Sequence, residues 1–201
     1  MQKFLCSGLI FASVFWPLYA ADLSRTTAAA KRAKSNRSGI AASTDPVLVG
    51  AGDIASCDDL SGAKATAELL DHIAGTIFAN GDLAYPAGTE QQFHDCYDPT
   101  WGRFKVRTRP APGNHEFNSS GASGYARYWG AMAGDPGGLY YSYALGTWHI
   151  ISLNSECVAV GGCDAESPQG KWLRGDLAQH PAACTLAYFH KPLFRSGKEH
   201  G

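Results

Sequence analysis

Residues that can bind metal ions or transfer protons are concentrated in four short stretches of the chain. The stretches are Gly52-Asp53-Ile54-Ala55, Gly81-Asp82-Leu83-Ala84-Tyr85, Gly113-Asn114-His115-Glu116 and Phe189-His190-Lys191-Pro192. Two carboxylates, a phenol, an amide and an imidazole form an oxygen-rich ligand set that suits hard or borderline ions such as iron, manganese or zinc. A carboxylate can bridge two cations, and Asp82 is the candidate for that position. The sequence therefore predicts a metal centre if the four stretches meet in the fold.

The secondary-structure elements that must bring these stretches together are predicted from the runs that precede them. Short apolar runs that end abruptly in polar turns are typical of strands that present polar side chains at their carboxyl ends. The predicted strands are 47–50, 76–79, 109–112 and 185–189. If these strands are neighbours, the polar residues that follow them converge at one edge.

Helical and hairpin patterns lie between and beyond the first strands. Two helices and a hairpin are predicted, at 63–74, at 171–180 and at 140–153 around Gly146-Thr147. Asp59 or Ser61 can cap the first of these helices. Alternating strands and helices predict an α/β fold, and the hairpin argues against a purely parallel sheet.

The order of the motifs G-D, G-D-x-x-Y and G-N-H-E resembles that of the calcineurin-like metallophosphoesterases. Their spacing agrees, since 29 residues separate Asp53 from Asp82 and 32 separate Asp82 from Asn114. Most of that superfamily has a histidine two residues after the first aspartate, where this chain has Ala55. With Tyr85 after the second motif, the pattern is similar to purple acid phosphatases, in which a tyrosinate replaces that histidine.

The resemblance covers roughly residues 47–201, and it implies both a fold and a metal set. The implied fold is an α+β sandwich of two packed mixed β-sheets flanked by helices, with the second sheet incomplete in this chain. The implied centre holds two metal ions, Fe(III) plus Fe(II), Zn or Mn. The ferric ion would be bound by Asp53, Asp82 and Tyr85, and the divalent ion by Asp82, Asn114 and His190.

The histidines of the chain divide into two groups under this resemblance. His115 matches a residue that stabilises the transition state and protonates the leaving group, and His200 resembles a second substrate-facing histidine. Glu116 is expected to support the ligands and not to bind metal. The remaining histidines have no motif context and are interpreted as surface or core residues: His72, His94, His149 and His180.

Two other functional interpretations compete with a phosphoesterase. Gly50, Gly52 and Ala55 also fit the G-x-G-x-x-A dinucleotide fingerprint after a strand. Against it, Asp53 would face a pyrophosphate, and Cys57-Asp58-Asp59 delays the helix. The second alternative arises because family members end their ligand set with a G-H-x-H motif, which is not found after His200. We expect a C-terminally truncated phosphoesterase, with a disabled, non-catalytic binding module as the alternative.

The amino-terminal residues predict export. Lys3 precedes an uncharged apolar run at 4–16, and Ala20 offers a cleavage site, so residues 1–20 are interpreted as a signal peptide. This run is shorter than the roughly 20 residues that span a bilayer, so no stable membrane insertion is expected. Residues 21–45 are expected to be a disordered linker and 46–201 a partial metallophosphoesterase domain. The predicted location is secreted or periplasmic.

Cysteine usage fits an oxidising compartment, because five of the six cysteines lie after the predicted signal peptide. A Cys57 to Cys96 disulfide would close a loop of about 40 residues, worth roughly 4 kcal/mol in the chain-entropy model. Cys157 with Cys163 is the next expected pair, and Cys184 is the competing partner.

Charge gives little indication of a macromolecular partner. The formal net charge is −1, so no nucleic-acid partner is expected. The expected substrate is a phosphate ester, with phosphomonoesters favoured. The oligomeric state stays open. Four cations alternate along one segment, at Arg103, Lys105, Arg107 and Arg109. On a strand they would share one face, which is interpreted as solvated, with a phosphate-reading patch as the alternative.

Overall fold

The computed structural model describes residues 9–11 and 45–194, so the predicted linker and most of the predicted signal peptide lie outside the described residues. In the described part the strands are β1 Leu9–Phe11, β2 Leu48–Ala51, β3 Ala55–Ser56, β4 Thr76–Asn80, β5 Ala84–Tyr85, β6 Thr108–Ala111, β7 Tyr141–Leu145, β8 Trp148–Ser152 and β9 Cys184–Tyr188. The four strands predicted before the polar stretches correspond to β2, β4, β6 and β9.

The helices are α1 Ser61–Asp71, α2 Glu90–Gln92, α3 Ser123–Trp129 and α4 Pro168–Gln179. A π-helical turn at Phe93–Tyr97 follows α2, and 3-10 turns occupy Trp101–Arg107, Glu116–Asn118, Ser120–Ala122 and Gly130–Ala133. Both predicted helices are confirmed as α1 and α4, with ends shifted by a few residues. The N-cap position of α1 is held by Leu60 and neither predicted capping residue occupies it; Asp59, one residue earlier, accepts the backbone N–H of Ser61 at 2.8 Å.

The strands form a parallel sheet and a mixed sheet. The parallel sheet has the order β2-β4-β6, and the mixed sheet has the order β1-β9-β8-β7, in which β7 and β8 form the predicted antiparallel hairpin. A further short parallel pair joins β3 to β5. The α/β prediction is confirmed.

Strand β1 lies inside the segment that is predicted to be a signal peptide. It pairs in parallel with β9, with Leu9 opposite Thr185. Cleavage after Ala20 would remove this strand and leave that edge of β9 without it. The signal peptide stays a prediction.

The two sheets pack face to face through a small apolar layer. Ala111, Ile150 and Tyr188 are buried in this layer, and the rings of Phe78 and Tyr188 have centroids 5.5 Å apart. Because alternate residues of a strand face opposite sides, Ile150 points to this layer and His149 points to the outer face. A larger core fills the other side of the parallel sheet, around α1, α3 and the π-helical turn.

Strand β6 is the outer strand of the parallel sheet. Backbone carbonyls at its end that pair with no strand accept hydrogen bonds from side chains of the mixed sheet. Tyr141 and Ser152 both donate a hydroxyl hydrogen bond to the Pro110 carbonyl, at 2.7 and 3.2 Å. Tyr188 donates to the Arg109 carbonyl at 3.0 Å. Proline cannot donate to a ladder and is therefore restricted to edge strands, which agrees with the position of Pro110. These three hydroxyls fix the mixed sheet over the end of β6.

The interpretation of the alternating cations as one solvated face is wrong, because most of the segment is a 3-10 turn. In a 3-10 turn, residues three apart share a side, and Trp101 and Phe104 are both buried there. Arg107 donates to the carbonyls of Leu70, Ile73 and Gly75 at the end of α1.

The other three cations also contact the protein. Arg103 donates to both carboxylate oxygens of Asp71, the ammonium group of Lys105 lies 3.7 Å from the ring centroid of Tyr128, and Arg109 donates to the carbonyl of Thr108. The four cations therefore have structural roles.

The two expected disulfides are present. Cys57 bonds to Cys96 and Cys157 bonds to Cys163, with Cα atoms 5.2 and 5.1 Å apart, and Cys184 is in neither bond. The first disulfide joins the end of β3 to the π-helical turn. Two disulfides are consistent with an oxidising compartment.

Among residues 9–11 and 45–194, no helix combines the length and the hydropathy needed to cross a bilayer.

We predict that Gly50→Ala destabilises the protein because the strands leave no room for a methyl group. A Cβ atom at Gly50 would overlap the Phe78 carbonyl oxygen and would lie 2.8 Å from the Phe78 ring. Overpacking of this kind typically costs about 1–3 kcal/mol. The loss should appear as a lower free energy of unfolding in urea.

Gly62→Ala is the matched control, because a Cβ atom at Gly62 in α1 would meet nothing within 4 Å. This change should be neutral or should stabilise the fold by up to about 1 kcal/mol. Equal stabilities of the two variants would contradict the packing argument.

Candidate metal centre

Two aspartates leave the parallel sheet in the same strained backbone conformation. Asp53 follows β2 and Asp82 follows β4, and their φ angles are 56° and 53°. Left-handed backbone is uncommon outside glycine, although aspartate tolerates it better than most residues. Such conformations cluster at functional sites, where the surrounding structure holds them in place.

The two aspartate turns are hydrogen-bonded to each other. Asp53 donates its N–H to the Gly81 carbonyl at 3.0 Å, and Ile54 donates to the Asp82 carbonyl at 2.9 Å. The same ladder continues into β3 and β5, where Ser56 pairs with Tyr85. Backbone hydrogen bonds alone therefore hold the first two polar stretches in register.

Asp82 lies at the centre of the site. It is 3% exposed, its Oδ1 accepts the backbone N–H of His115 at 2.9 Å, and its Oδ2 lies 3.3 Å from His190 Nε2. Its Oδ2 also accepts the hydroxyl of Tyr85 at 3.1 Å. The side chain of the residue predicted to bridge two ions is thus in contact with two of the other three polar stretches and with Tyr85 of its own.

Tyr85 connects the two carboxylates. Its hydroxyl donates to Asp53 Oδ1 at 2.6 Å as well as to Asp82. Burial raises the pKa of the Tyr85 phenol above its ordinary value, and the hydrogen bonds and negative charges of both aspartates raise it further. A bound cation would reverse this effect, because a cation stabilises the deprotonated ligand.

His190 presents one specific nitrogen to the site. Its Nδ1 lies 2.9 Å from the Asn80 carbonyl oxygen, and since a carbonyl only accepts, Nδ1 carries the proton. This leaves Nε2 toward Asp82 as the atom that can bind a metal, the usual arrangement for a histidine ligand. Gly81 allows the approach, since a Cβ atom there would lie 2.5 Å from the His190 Cβ.

The charges of His190 and Asp82 stabilise each other. Burial alone would lower the pKa of His190, but the hydrogen bond and charge of Asp82 raise it to about 9. Burial likewise opposes ionisation of Asp82, yet the contacts with His190 and His115 hold the pKa of this carboxyl below its ordinary value. Without a cation, an imidazolium and a carboxylate therefore compensate each other.

His115 lies at the rim of the site. Its Nδ1 contacts the Pro86 carbonyl at 2.7 Å, so Nε2 faces the site, 3.8 Å from Asp82 Oδ2. The ring packs edge-on against Tyr85, with centroids 4.5 Å apart. The Nε2 atom of His115 therefore lies beside the Asp82 carboxylate.

Of the two remaining predicted site residues, the structure describes Asn114 but not His200. Asn114 lies in the turn between Gly113 and His115, and its carbonyl accepts the N–H of Phe117 at 3.1 Å. His200 lies outside the described residues. The ligand roles of both residues stay predictions.

The geometry of the site fits a metal centre. One ligand atom each of Asp53, Asp82 and His190 lies within 4.8 Å of the others, and Tyr85 bonds to both carboxylates. Mixed oxygen and nitrogen ligands of this kind suit iron, zinc or manganese.

Glu116 has a larger structural role than the sequence indicated. It is fully buried and accepts three backbone hydrogen bonds, from Asp82 and Gly113 through Oε2 and from Leu83 through Oε1, at 2.9, 2.7 and 2.8 Å. Burial raises the pKa of its carboxyl, although these N–H groups favour the charged form. The only signal in the sequence was its position within G-N-H-E.

The dinucleotide-binding interpretation has no support in this geometry. That fingerprint requires a helix to begin in the turn after Gly52. The chain instead forms β3, and α1 begins only at Ser61. Gly50 lies within β2, where it opposes Phe78.

An α/β sandwich with paired aspartate turns at the edge of its parallel sheet is of the metallophosphoesterase type. No family model matches the chain. The chain is similar to acid phosphatase type 7 of Danio rerio, with 34% identity over 100 residues that cover 44% of this chain and 22% of the relative. It is also similar to acid phosphatase type 7 of Homo sapiens and of Mus musculus, with 31% and 30% identity over 133 residues, 59% of this chain and 29% of each relative.

This similarity to acid phosphatases agrees with the resemblance that the motifs indicated. It spans less than a third of the length of the curated relatives it matches. The names of these relatives support a hydrolase at the level of the family.

We predict that Glu116→Gln destabilises the protein by about 1–3 kcal/mol. The glutamine oxygen can replace only one carboxylate oxygen, so its amide group would face a buried backbone N–H that then has no acceptor. A lower free energy of unfolding in urea would show this loss.

Glu166→Gln provides the control for the same change in charge. Glu166 is exposed and makes only surface ion pairs with Lys171 and Arg174, which contribute little to stability. The free energy of unfolding of Glu166→Gln should stay within about 0.5 kcal/mol of that of the parent. If Glu116→Gln is equally neutral, the three backbone contacts do not stabilise the site.

Proposed function

We propose that this protein is a metal-dependent phosphoric ester hydrolase that uses a two-metal centre and acts on phosphomonoesters. The observation that carries the proposal is the convergence of Asp53, Asp82 and His190 at the strand ends, with Tyr85 bonded to both carboxylates. The similarity to acid phosphatases supports the reaction class.

The proposed ligand sets follow the resemblance to purple acid phosphatases. Asp53, Asp82 and Tyr85 would hold a ferric ion, and Asp82, Asn114 and His190 would hold Fe(II), Zn or Mn. When bound, two such cations supply an activated water molecule and an electrostatic clamp for the phosphoryl group.

The proton chemistry of the reaction is assigned to His115. Its Nδ1 is held by the Pro86 carbonyl, so Nε2 is the atom that can carry a proton to a departing alkoxide. About a third of the side chain is exposed, which leaves this nitrogen accessible to a substrate. A positioned acid of this kind typically contributes 10²–10⁴-fold to the rate.

The proposed location is outside the cytosol, either secreted or periplasmic. The two disulfides support an oxidising compartment. A non-catalytic metal-binding module is the alternative function.

We predict that Asp82→Asn abolishes metal uptake by the proposed centre at Asp82, and with it hydrolysis of p-nitrophenyl phosphate by the iron- and zinc-loaded chain. An amide in place of the Asp82 carboxylate removes the negative charge that would help to hold both ions. A fall of at least about 100-fold in kcat/KM corresponds to roughly 2.7 kcal/mol of lost transition-state stabilisation. Metal content and initial rates are measured on the same preparations.

Glu68→Gln on the exposed face of α1 is the control, and it should leave both quantities unchanged. Hydrolysis that survives Asp82→Asn would overturn the proposed centre. Metal uptake without hydrolysis by the parent chain would favour the binding module.

A separate prediction concerns the identity of one ion. Iron-loaded protein should show a visible charge-transfer band if Tyr85 binds ferric iron as tyrosinate, and Tyr85→Phe should lose it. Tyr140→Phe, which alters a phenol that packs on Trp172, should keep the band. A colourless but active iron-free protein would instead point to zinc or manganese.

A further inference from the structure

A second group of potential metal ligands lies on the outer face of the mixed sheet, beneath α4. His149 projects from β8, Asp176 lies in the last turn of α4, and His180 follows the end of that helix. One ligand atom of each residue lies within 4.8 Å of the other two. From the sequence, both histidines are interpreted as surface or core residues because neither has motif context; 27 residues separate His149 from Asp176.

The carboxylate of Asp176 is the shared centre of this cluster. His149 Nε2 lies 2.6 Å from Asp176 Oδ2, and His180 Nδ1 lies 3.1 Å from Asp176 Oδ1. The two imidazole rings stack with centroids 5.2 Å apart and an interplanar angle of 16°. Both rings therefore present a nitrogen to the same carboxylate. His180 Nδ1 also lies 3.0 Å from the backbone carbonyl oxygen of Asp176, so this nitrogen carries a proton that a bound ion would displace.

The surroundings hold the carboxylate in place. Ser142 of β7 donates its hydroxyl to Asp176 Oδ1 at 2.6 Å, which is the kind of contact that orients metal-binding carboxylates. The end of α4 adds electrostatic support, because the carboxyl end of a helix favours a cation. His149 and Asp176 are buried, whereas half of the His180 side chain is exposed, so an ion can enter from the His180 side.

We infer that His149, Asp176 and His180 form a binding site for a divalent transition-metal ion of the zinc class, separate from the centre at Asp82. Two imidazoles and one carboxylate are typical zinc ligands, and a water molecule completes the tetrahedron when a site has three protein ligands. This inference does not rest on the proposed function, since neither histidine belongs to the proposed phosphoesterase centre.

The two sites are separated along β9. His149 pairs with Thr185, near the start of that strand, whereas His190 follows its end. Five residues of extended chain span roughly 17 Å at about 3.3 Å per residue. No ligand is therefore shared between the two sites.

The three side chains would move closer together to bind an ion. Ligand atoms about 2.05 Å from a tetrahedral zinc ion lie about 3.3 Å from each other. Here the two histidines contact different oxygens of Asp176, and one ligand atom of each residue lies within 4.8 Å of the others. The ion would replace the two hydrogen bonds between imidazole and carboxylate. It would also fasten α4 to β8 through direct bonds.

Zinc titration of four versions of the full chain tests this inference. The parent, Asp82→Asn, His180→Gln and the double variant are titrated with Zn²⁺ against a chromophoric chelator, which gives the number of bound ions and their affinities. We expect Asp82→Asn to retain one zinc ion that the double variant binds at least 10-fold more weakly. His180→Gln alone should leave binding at the Asp82 centre unchanged.

His72→Gln is the matched control, because His72 is an exposed histidine just beyond α1. It should not change zinc binding in the Asp82→Asn background. His149→Gln should reproduce the loss seen for His180→Gln. If the buried substitution fails to fold, His180→Gln decides the question, since its side chain is half exposed.

Zinc affinities of His180→Gln and His72→Gln within twofold of each other in the Asp82→Asn background would overturn the inference. In that case the cluster is an ion pair that fastens α4 to the sheet. A third outcome separates the two proposals. If no preparation has phosphatase activity, but zinc binds to Asp82→Asn and is lost on adding His180→Gln, the proposed function is rejected and this site is supported.

Discussion

The buried carboxylate of Glu116 organises the edge of the parallel sheet. It accepts N–H groups from Asp82 and Leu83, which follow β4, and from Gly113, which follows β6. The turns after two neighbouring strands are thereby joined by one side chain. Unpaired backbone donors in this fully buried position would each cost about 1–3 kcal/mol, so the strained backbone of Asp82 depends on this contact. Asp82 then accepts the N–H of His115, which extends the same network to the rim.

The site also depends on how the mixed sheet packs on the parallel sheet. Asn80 lies at the end of β4, where its side chain donates to the Phe189 carbonyl at 3.0 Å and its own carbonyl contacts His190 Nδ1. These reciprocal contacts join the last residue of β4, in the parallel sheet, to the residues that follow β9 in the mixed sheet. Because His190 is placed by this contact, its distance from Asp82 follows from the packing of the two sheets. The apolar layer around Ile150 and Tyr188 is therefore part of what forms the site.

The sequence was sufficient to predict the features that have a local signal. One such feature is a strand end followed by Gly-Asp or Gly-Asn, and another is the pair of disulfides. Both involve residue types that have few structural roles. Tertiary contacts have no such signal. The role of Glu116 depends on three backbone groups, and the burial of His149 beside Asp176 depends on the docking of α4. Arg107 was misread because alternate spacing suggested a strand, whereas the spacing of three between buried aromatic residues was the better indication of a 3-10 turn.

The charge balance of the site explains how it can exist both with and without cations. Two carboxylates near each other, one of them almost fully buried, would repel each other and lose hydration. In the structure, the imidazolium of His190 offsets the charge of Asp82, and the Tyr85 hydroxyl donates to both Asp53 and Asp82. The protons on His190 Nε2 and on Tyr85 thus compensate the two carboxylates when no cation is bound. Since a ligand must lose its proton before it binds metal, ion uptake in the proposed centre exchanges these protons for metal charge, and the same hydrogen-bonded backbone holds the side chains in either state.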